Sequence, residues 1–152
     1  MASSKYPDAP RVAVGGVVIR GDEVLLVLRA NPPAPGQWAI PGGSVHLGET
    51  LQAAVERELL EETRVAVRAG EPVCVLESIV PGDGGRPQYH YVIVDLLASY
   101  VSGEPTPGDD AREARWVSSR DLERLKVNRK TVDLLQKLGF VPPSSPQGPE
   151  DT

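Results

Sequence analysis

Residues 43–65 read GSVHLGETLQAAVERELLEETRV, a glycine-led turn feeding a helix whose apolar face is interrupted by acids. At about 100° per residue, Leu51, Ala54, Val55 and Leu59 fall on one stripe, and Glu58 and Glu62 project along its middle. Two carboxylates therefore stand where the core contact belongs. They also lie near the helix C-terminus, where the macrodipole disfavours negative charge by roughly 0.3–1 kcal/mol each. Left unpaired in an apolar contact, each would cost several kcal/mol more. A fold that accepts this helix must place something positive beside it.

Glu58 and Glu62 are spaced i,i+4, and Glu61 follows Glu58 at i+3, so all three can converge beside the helix. Only oxygen donors are offered, which suits a hard divalent cation, Mg2+ or else Mn2+. The chain has two His and one Cys, too few and too scattered for a zinc site. The alternative for the same residues is a solvated acidic helix end.

The wider pattern separates the two. Gly43, five residues, Glu49, seven residues, then Arg57-Glu58-Leu59-Leu60-Glu61-Glu62-Thr63 and Val65 resembles the Nudix box, the signature of hydrolases acting on nucleoside diphosphates linked to another moiety. Arg64 stands where the family has glycine. Glycine would take a left-handed helix cap without strain, whereas arginine should cost about 1 kcal/mol or end the helix differently. The resemblance implies a metal set of Glu58, Glu61, Glu62 and the Gly43 carbonyl. It also implies that Arg57 and Glu49 steady the metal-binding glutamates. In similar enzymes the loop before Trp116 supplies a further ligand or base, for which Asp109, Asp110 and Glu113 are available and Asp110 is preferred. Glu61 is the other candidate base. Without the resemblance, GDDARE reads equally as a solvated turn.

The rest of the chain is consistent with one domain. Its 152 residues are 40% hydrophobic, enough for a single core. A net charge of −5 with no basic block argues against a nucleic-acid partner. No apolar run reaches the roughly 18 residues of a membrane span, and no N-terminal signal is present, so a soluble cytoplasmic protein is expected. The single Cys74 fits a reducing compartment and reads as a small strand residue. A homodimer is left open.

In order, residues 1–10 read as a flexible leader, 11–140 as the domain and 141–152, rich in Pro and Ser, as a disordered tail. Residues 11–19 and 24–29 form a hairpin about Gly21-Asp22, the second run covered on both faces. Prolines make 31–36 a loop. A short strand at 37–40 precedes Pro41-Gly42-Gly43, then come the box helix, a strand at 72–80, a turn at 81–87 and a long strand at 88–101. Alternation in that strand sets Tyr89, Tyr91 and Ile93 on one face and His90, Val92 and Val94 on the other. A strand at 115–117 follows, then a helix capped by Ser118 or Ser119 and another capped by Asn128 and ended by Gly139. Strands needing helical crossovers give an α/β chain with a mixed sheet between helices, which the resemblance sharpens to a Nudix-type α/β/α sandwich.

For the substrate, Arg29 offers a guanidinium fork for a phosphate or is a surface arginine. Trp38 stacks on a base or anchors the core. His90 touches substrate at the strand mouth or is an ordinary strand histidine. HYVIVD and GDDAREARWV are similar to the ADP-ribose pyrophosphatase branch, implying ADP-ribose cleaved to AMP and ribose 5-phosphate. The alternatives are a pyrophosphohydrolase of canonical or oxidised nucleoside triphosphates, and a non-catalytic nucleotide sensor, against which the intact carboxylate set argues.

Overall fold

Two β-branched runs and a turn open the fold as read. A computed structural model describes residues 5–31, 35–108 and 110–141. Strand β1 (Arg11–Arg20) turns at a left-handed Gly21 (φ 65°) into β2 (Glu23–Arg29), pairing Ile19 with Val24. Then come β3 (Trp38–Ala39), β4 (Gly42–Ser44), α1 (Leu51–Thr63), β5 (Ala66–Pro81), β6 (Pro87–Ser102), β7 (Ala111–Ser118) and α2 (Arg129–Lys137). Short 3-10 turns at Asp83–Gly85 and Asp121–Arg124 complete the order.

The seven strands form a mixed sheet ordered β3-β2-β1-β6-β5, with β4 also on β1 and β7 also on β2. Among the named strands only β1 and β6 pair in parallel, Arg11 against Tyr91 through Val18 against Ala98. Along its length β1 exchanges partners, β4 at Ala13–Gly15 and β2 at Ile19–Arg20, so the sheet splits beside Gly15 and Gly16. The site is built at that split. On one face Val14, Val18, Leu25 and Leu96 pack under Ala54, Val55 and Leu59 of α1. On the other, Val17, Val24 and Leu26 pack with Trp38 and with Leu134 and Leu135 of α2. Residues 24–27 are fully buried, as a strand covered on both faces requires. The α/β fold with a mixed sheet between helices is thus the one expected.

Several boundaries differ from expectation: β7 starts at Ala111, not at residue 115, residues 42–44 form β4 instead of a turn, and the helix expected after Ser118 or Ser119 is the 3-10 turn Asp121–Arg124. β5 starts at Ala66, not at residue 72, with register shifts flanking Pro72. As the sheet's outermost strand, β5 absorbs a proline that a central strand would reject. In the segment before β1, Tyr6 is tied down: its N–H bonds Gln88 O at 2.9 Å and its hydroxyl accepts from the Asp83 N–H at 3.2 Å. Residues 1–4 of the expected leader and 142–152 of the expected tail lie outside the described residues.

Thr50 caps α1, its hydroxyl accepting from the Ala53 N–H at 3.0 Å. At the other end Arg64 adopts the left-handed conformation (φ 64°, ψ 13°), its N–H bonding Leu60 O. The arginine therefore takes the glycine's cap geometry with its Cβ strain. The Arg64→Gly variant is expected to be more stable by about 1 kcal/mol. For a chain of this size that is a rise of roughly 2–4 °C in Tm; a lower Tm by calorimetry would contradict the cap argument.

Candidate active site

The last two turns of α1 lie against the Pro41–Gly43 segment because β4 pairs with β1, Gly43 opposite Val14 and Gly42 opposite Gly15. Glu62, 6% exposed, accepts the Gly42 N–H at 3.0 Å. Burial pushes its carboxyl up to about 7; the Gly42 N–H and the field of Arg29 act against this, while Glu58 and Asp110 add to it. Glu58, 9% exposed, lies against Gly43 so closely that a Cβ there would overlap its carboxylate. A glycine at 43 is therefore required for Glu58 to sit beside this backbone.

Arg57 organises the other side. Its Nε and Nη2 donate to the two oxygens of Glu49 at 2.6 and 2.9 Å. Nη2 also donates to Ser44 O at 2.9 Å, and Nη1 to Glu58 at 2.8 Å and Glu61 at 3.1 Å. All five guanidinium N–H groups are thereby engaged. Glu49 also accepts the His46 N–H at 2.9 Å. The Arg57 fork and then that N–H hold Glu49 down at about 2.

Two backbone bonds tie the loop before β7 to the helix end. The Thr106 N–H reaches Thr63 O at 2.9 Å and the Gly108 N–H reaches Glu62 O at 2.7 Å, satisfying carbonyls that a helix terminus leaves open. This strap leads to Asp110, which accepts from Asn31 Nδ2 at 3.2 Å and whose charge is felt at Glu62. Arg29, opposite Ala111 in the β2–β7 pairing, is the cation felt there.

The structure thus sets Glu62 against Gly42 and Glu58 against Gly43, with Arg29 and Asp110 near enough for their charges to act on Glu62, and braces Glu58 through Arg57. Glu61 is at the rim: its side chain is 56% exposed, and it accepts from the same Arg57 Nη1 that Glu58 accepts from. Among the described residues no group of three or more His, Cys, Asp or Glu side chains stands ready for a metal. Glu58 and Glu62, one turn apart, are buried beside the glycine backbone, and Glu61 lies at their exposed rim. That set still fits a hard cation, because Glu62 is buried against one N–H donor and only oxygens are offered.

Trp38 is elsewhere, 5% exposed in the α2 core with the Arg115 guanidinium 4.6 Å from its ring, so its role here is the core anchor. His90 pairs with Ile79 and lies five residues before Asp95, roughly 16 Å along the strand from the level of Gly15 and Gly42. Asp109 lies outside the described residues. Sequence reasoning missed Asn31, the strap at Thr106 and Gly108, and the buried Asp95, whose one signal was an acid inside the apolar run VIVDLLA. No helix among the described residues is long and apolar enough to cross a membrane.

Comparison with known proteins places these features in company. The NUDIX domain family model matches residues 9–138. An ADP-ribose pyrophosphatase of Methanocaldococcus jannaschii is 32% identical over 123 residues, covering 81% of this chain and 70% of that protein. A Mycobacterium tuberculosis protein provisionally named 8-oxo-dGTP diphosphatase 2 is 45% identical over 120 residues, covering 74% of this chain and 76% of the other. A solved structure, the MutT NUDIX hydrolase from Burkholderia pseudomallei, superposes with a TM-score of 0.74 at 31% identity, covering 86% of this chain and 99% of that one.

Proposed function

The chain belongs to the Nudix family and is a Nudix hydrolase, and from that premise we propose that it splits the pyrophosphate link of a nucleoside diphosphate joined to another moiety, ADP-ribose foremost. Water adds to one phosphorus and the bridging oxygen leaves with the other, so ADP-ribose gives AMP and ribose 5-phosphate. The observation that carries this reading is the pair of buried carboxylates, Glu58 and Glu62, on one helix face with a single N–H on Glu62. A divalent cation, Mg2+ or Mn2+, would be held by Glu58, Glu62 and the Gly43 carbonyl with Glu61 at the rim, and would supply neutralisation of phosphate oxygens and acidification of water.

The remaining roles fall to the chain's own groups. Arg57 fixes the Glu58 carboxylate and couples it to Glu49 and the Ser44 carbonyl. Arg29 neutralises charge on the phosphate side, since its field already reaches Glu62. Asp110, delivered by the strap to the same place, takes the proton from the attacking water; solvent-exposed Glu61 is the second candidate.

The relative from M. jannaschii supports ADP-ribose as substrate. The higher identity to the M. tuberculosis protein favours a second reading, an oxidised or canonical nucleoside triphosphate cut to monophosphate and pyrophosphate. Product analysis with ADP-ribose, dGTP and 8-oxo-dGTP, in Mg2+ and in EDTA, separates them. Mg2+-dependent release of AMP and ribose 5-phosphate is expected. Release of pyrophosphate alone would transfer the assignment to the second reading, and undiminished turnover in EDTA would overturn the metal.

A further inference from the structure

One acid in the fold is buried without a use in the site just described. Asp95, in the middle of β6, is 4% exposed. Among the described residues no hydrogen bond or ion pair reaches its carboxylate, and its oxygens are not sealed in, Trp116 Nε1 being the one fully enclosed side-chain polar atom without a partner. An apolar residue would fill the same place at lower cost, as the adjacent Leu96 does on the other face of β6. An acceptor without a hydrogen bond, kept in a nearly closed position with only the field of Lys130 acting on it, is the mark of a ligand contact.

Its place in the sheet says which part of a ligand. Gly15 is opposite Asp95 on one side and opposite Gly42 on the other. A Cβ at Gly15 would overlap the Asp95 carboxylate and lie 2.9 Å from Ile40 Cδ1, so the missing side chain makes the space that the acid occupies. A Cβ at Gly16 would instead meet Leu59 and Val55 of α1. Asp95 therefore lies on the face away from α1, two strands, or roughly 10 Å, from the Gly42 backbone that holds Glu62. That is beyond a phosphate bound at Glu62 and within reach of the nucleoside attached to it; the ribose would lie nearer the phosphate and the base farther out.

An ionised carboxylate only accepts hydrogen bonds, so what meets it must donate. We propose that Asp95 reads the base of the substrate, accepting a hydrogen bond from the exocyclic amino group of a purine. This rests on the reading of the site as a nucleotide pyrophosphohydrolase. Burial raises the Asp95 carboxyl to about 6, with the Lys130 ammonium of α2 drawing it back, so it is an acceptor at neutral pH.

Adenine and guanine both carry such an amino group, and hypoxanthine lacks it in each comparison. Equilibrium binding of AMP, GMP and IMP in Mg2+, to the wild type and to Asp95→Leu, tests the contact without turnover. The wild type should bind AMP or GMP about 10- to 100-fold more tightly than IMP, as a charge-assisted bond allows. In Asp95→Leu that ratio should fall to within about threefold while Tm holds or rises, because the lost group was a burden to the fold. Should the leucine variant misfold, the isosteric Asp95→Asn, one acceptor kept and the charge gone, should show a reduced ratio. Equal ratios in wild type and folded variant, or a wild type that binds none of the three or does not discriminate, would overturn the proposal. If Asp95-dependent discrimination is found but none of ADP-ribose, dGTP and 8-oxo-dGTP is hydrolysed, the substrate assignment falls and the base contact stands.

Discussion

Glu62→Gln is expected to lower turnover by about 100- to 1,000-fold, the range seen when one group that stabilises developing charge is removed, while the fold stays intact. Glutamine keeps the shape and the oxygen that accepts the Gly42 N–H, and it loses the charge. The same substitution makes a stability prediction of opposite sign. Burial raises the Glu62 carboxyl from an ordinary 4.5 to about 7. Below pH 4.5 it is protonated in both folded and unfolded chains and contributes nothing. Between 4.5 and 7 the folded chain retains a proton that the unfolded chain has released, so stability falls as pH rises, and above 7 the penalty is complete, on the order of 3 kcal/mol. The variant should therefore melt higher than wild type at pH 8 and equally at pH 4. Mg2+ should narrow the gap at pH 8 by stabilising only the wild type. Near wild-type rates in Mg2+ from a folded Gln variant would sink the assignment, and a variant that melts lower at pH 8 would show Glu62 to be a structural pair.

What was legible in the sequence depended on the range of the interactions. Asn128 was readable as a cap because its side chain bonds a backbone N–H two residues on. The acids of α1 were readable because the helical period alone sets Glu58 and Glu62 on the buried face. Glu61 shows the boundary of that logic. Its i+3 spacing from Glu58 sets it within reach of the Arg57 Nη1 that also holds Glu58, yet Glu61 stays at the exposed rim while Glu58 is buried. Gly70 and Pro72 hid the first part of β5, since the tolerance of an outer strand for both is a property of the sheet and not of the segment. The parallel pairing of β1 with β6, which brings Asp95 beside Gly15 and Gly42, joins residues about eighty apart and left no local trace.

Arg57→Lys, conservative in charge, is expected to lower Mg2+ affinity or activity by about 10- to 100-fold, the usual effect of losing a group that orients a metal-binding side chain. The reason is a count of donors. Arginine fills five acceptor positions on Glu49, Ser44, Glu58 and Glu61 from one planar group. An ammonium has three N–H groups and no planar fork, so at least two of the five bonds are lost and the paired grip on Glu49 and Glu58 is weakened. Glu58 would then be free to swing from Gly43, and the loss should appear as a higher Mg2+ requirement that excess Mg2+ partly restores. Acid titration gives an independent reading. Glu49 is held at about 2 chiefly by the Arg57 fork, so its contribution to stability is complete above pH 4.5 and is lost as pH falls through 2. The Tm difference between wild type and Arg57→Lys should accordingly be largest near pH 7 and shrink between pH 4.5 and 2. A constant difference across that range would mean that lysine hurts by packing alone, and an unchanged Mg2+ requirement would remove Arg57 from the support of the metal site.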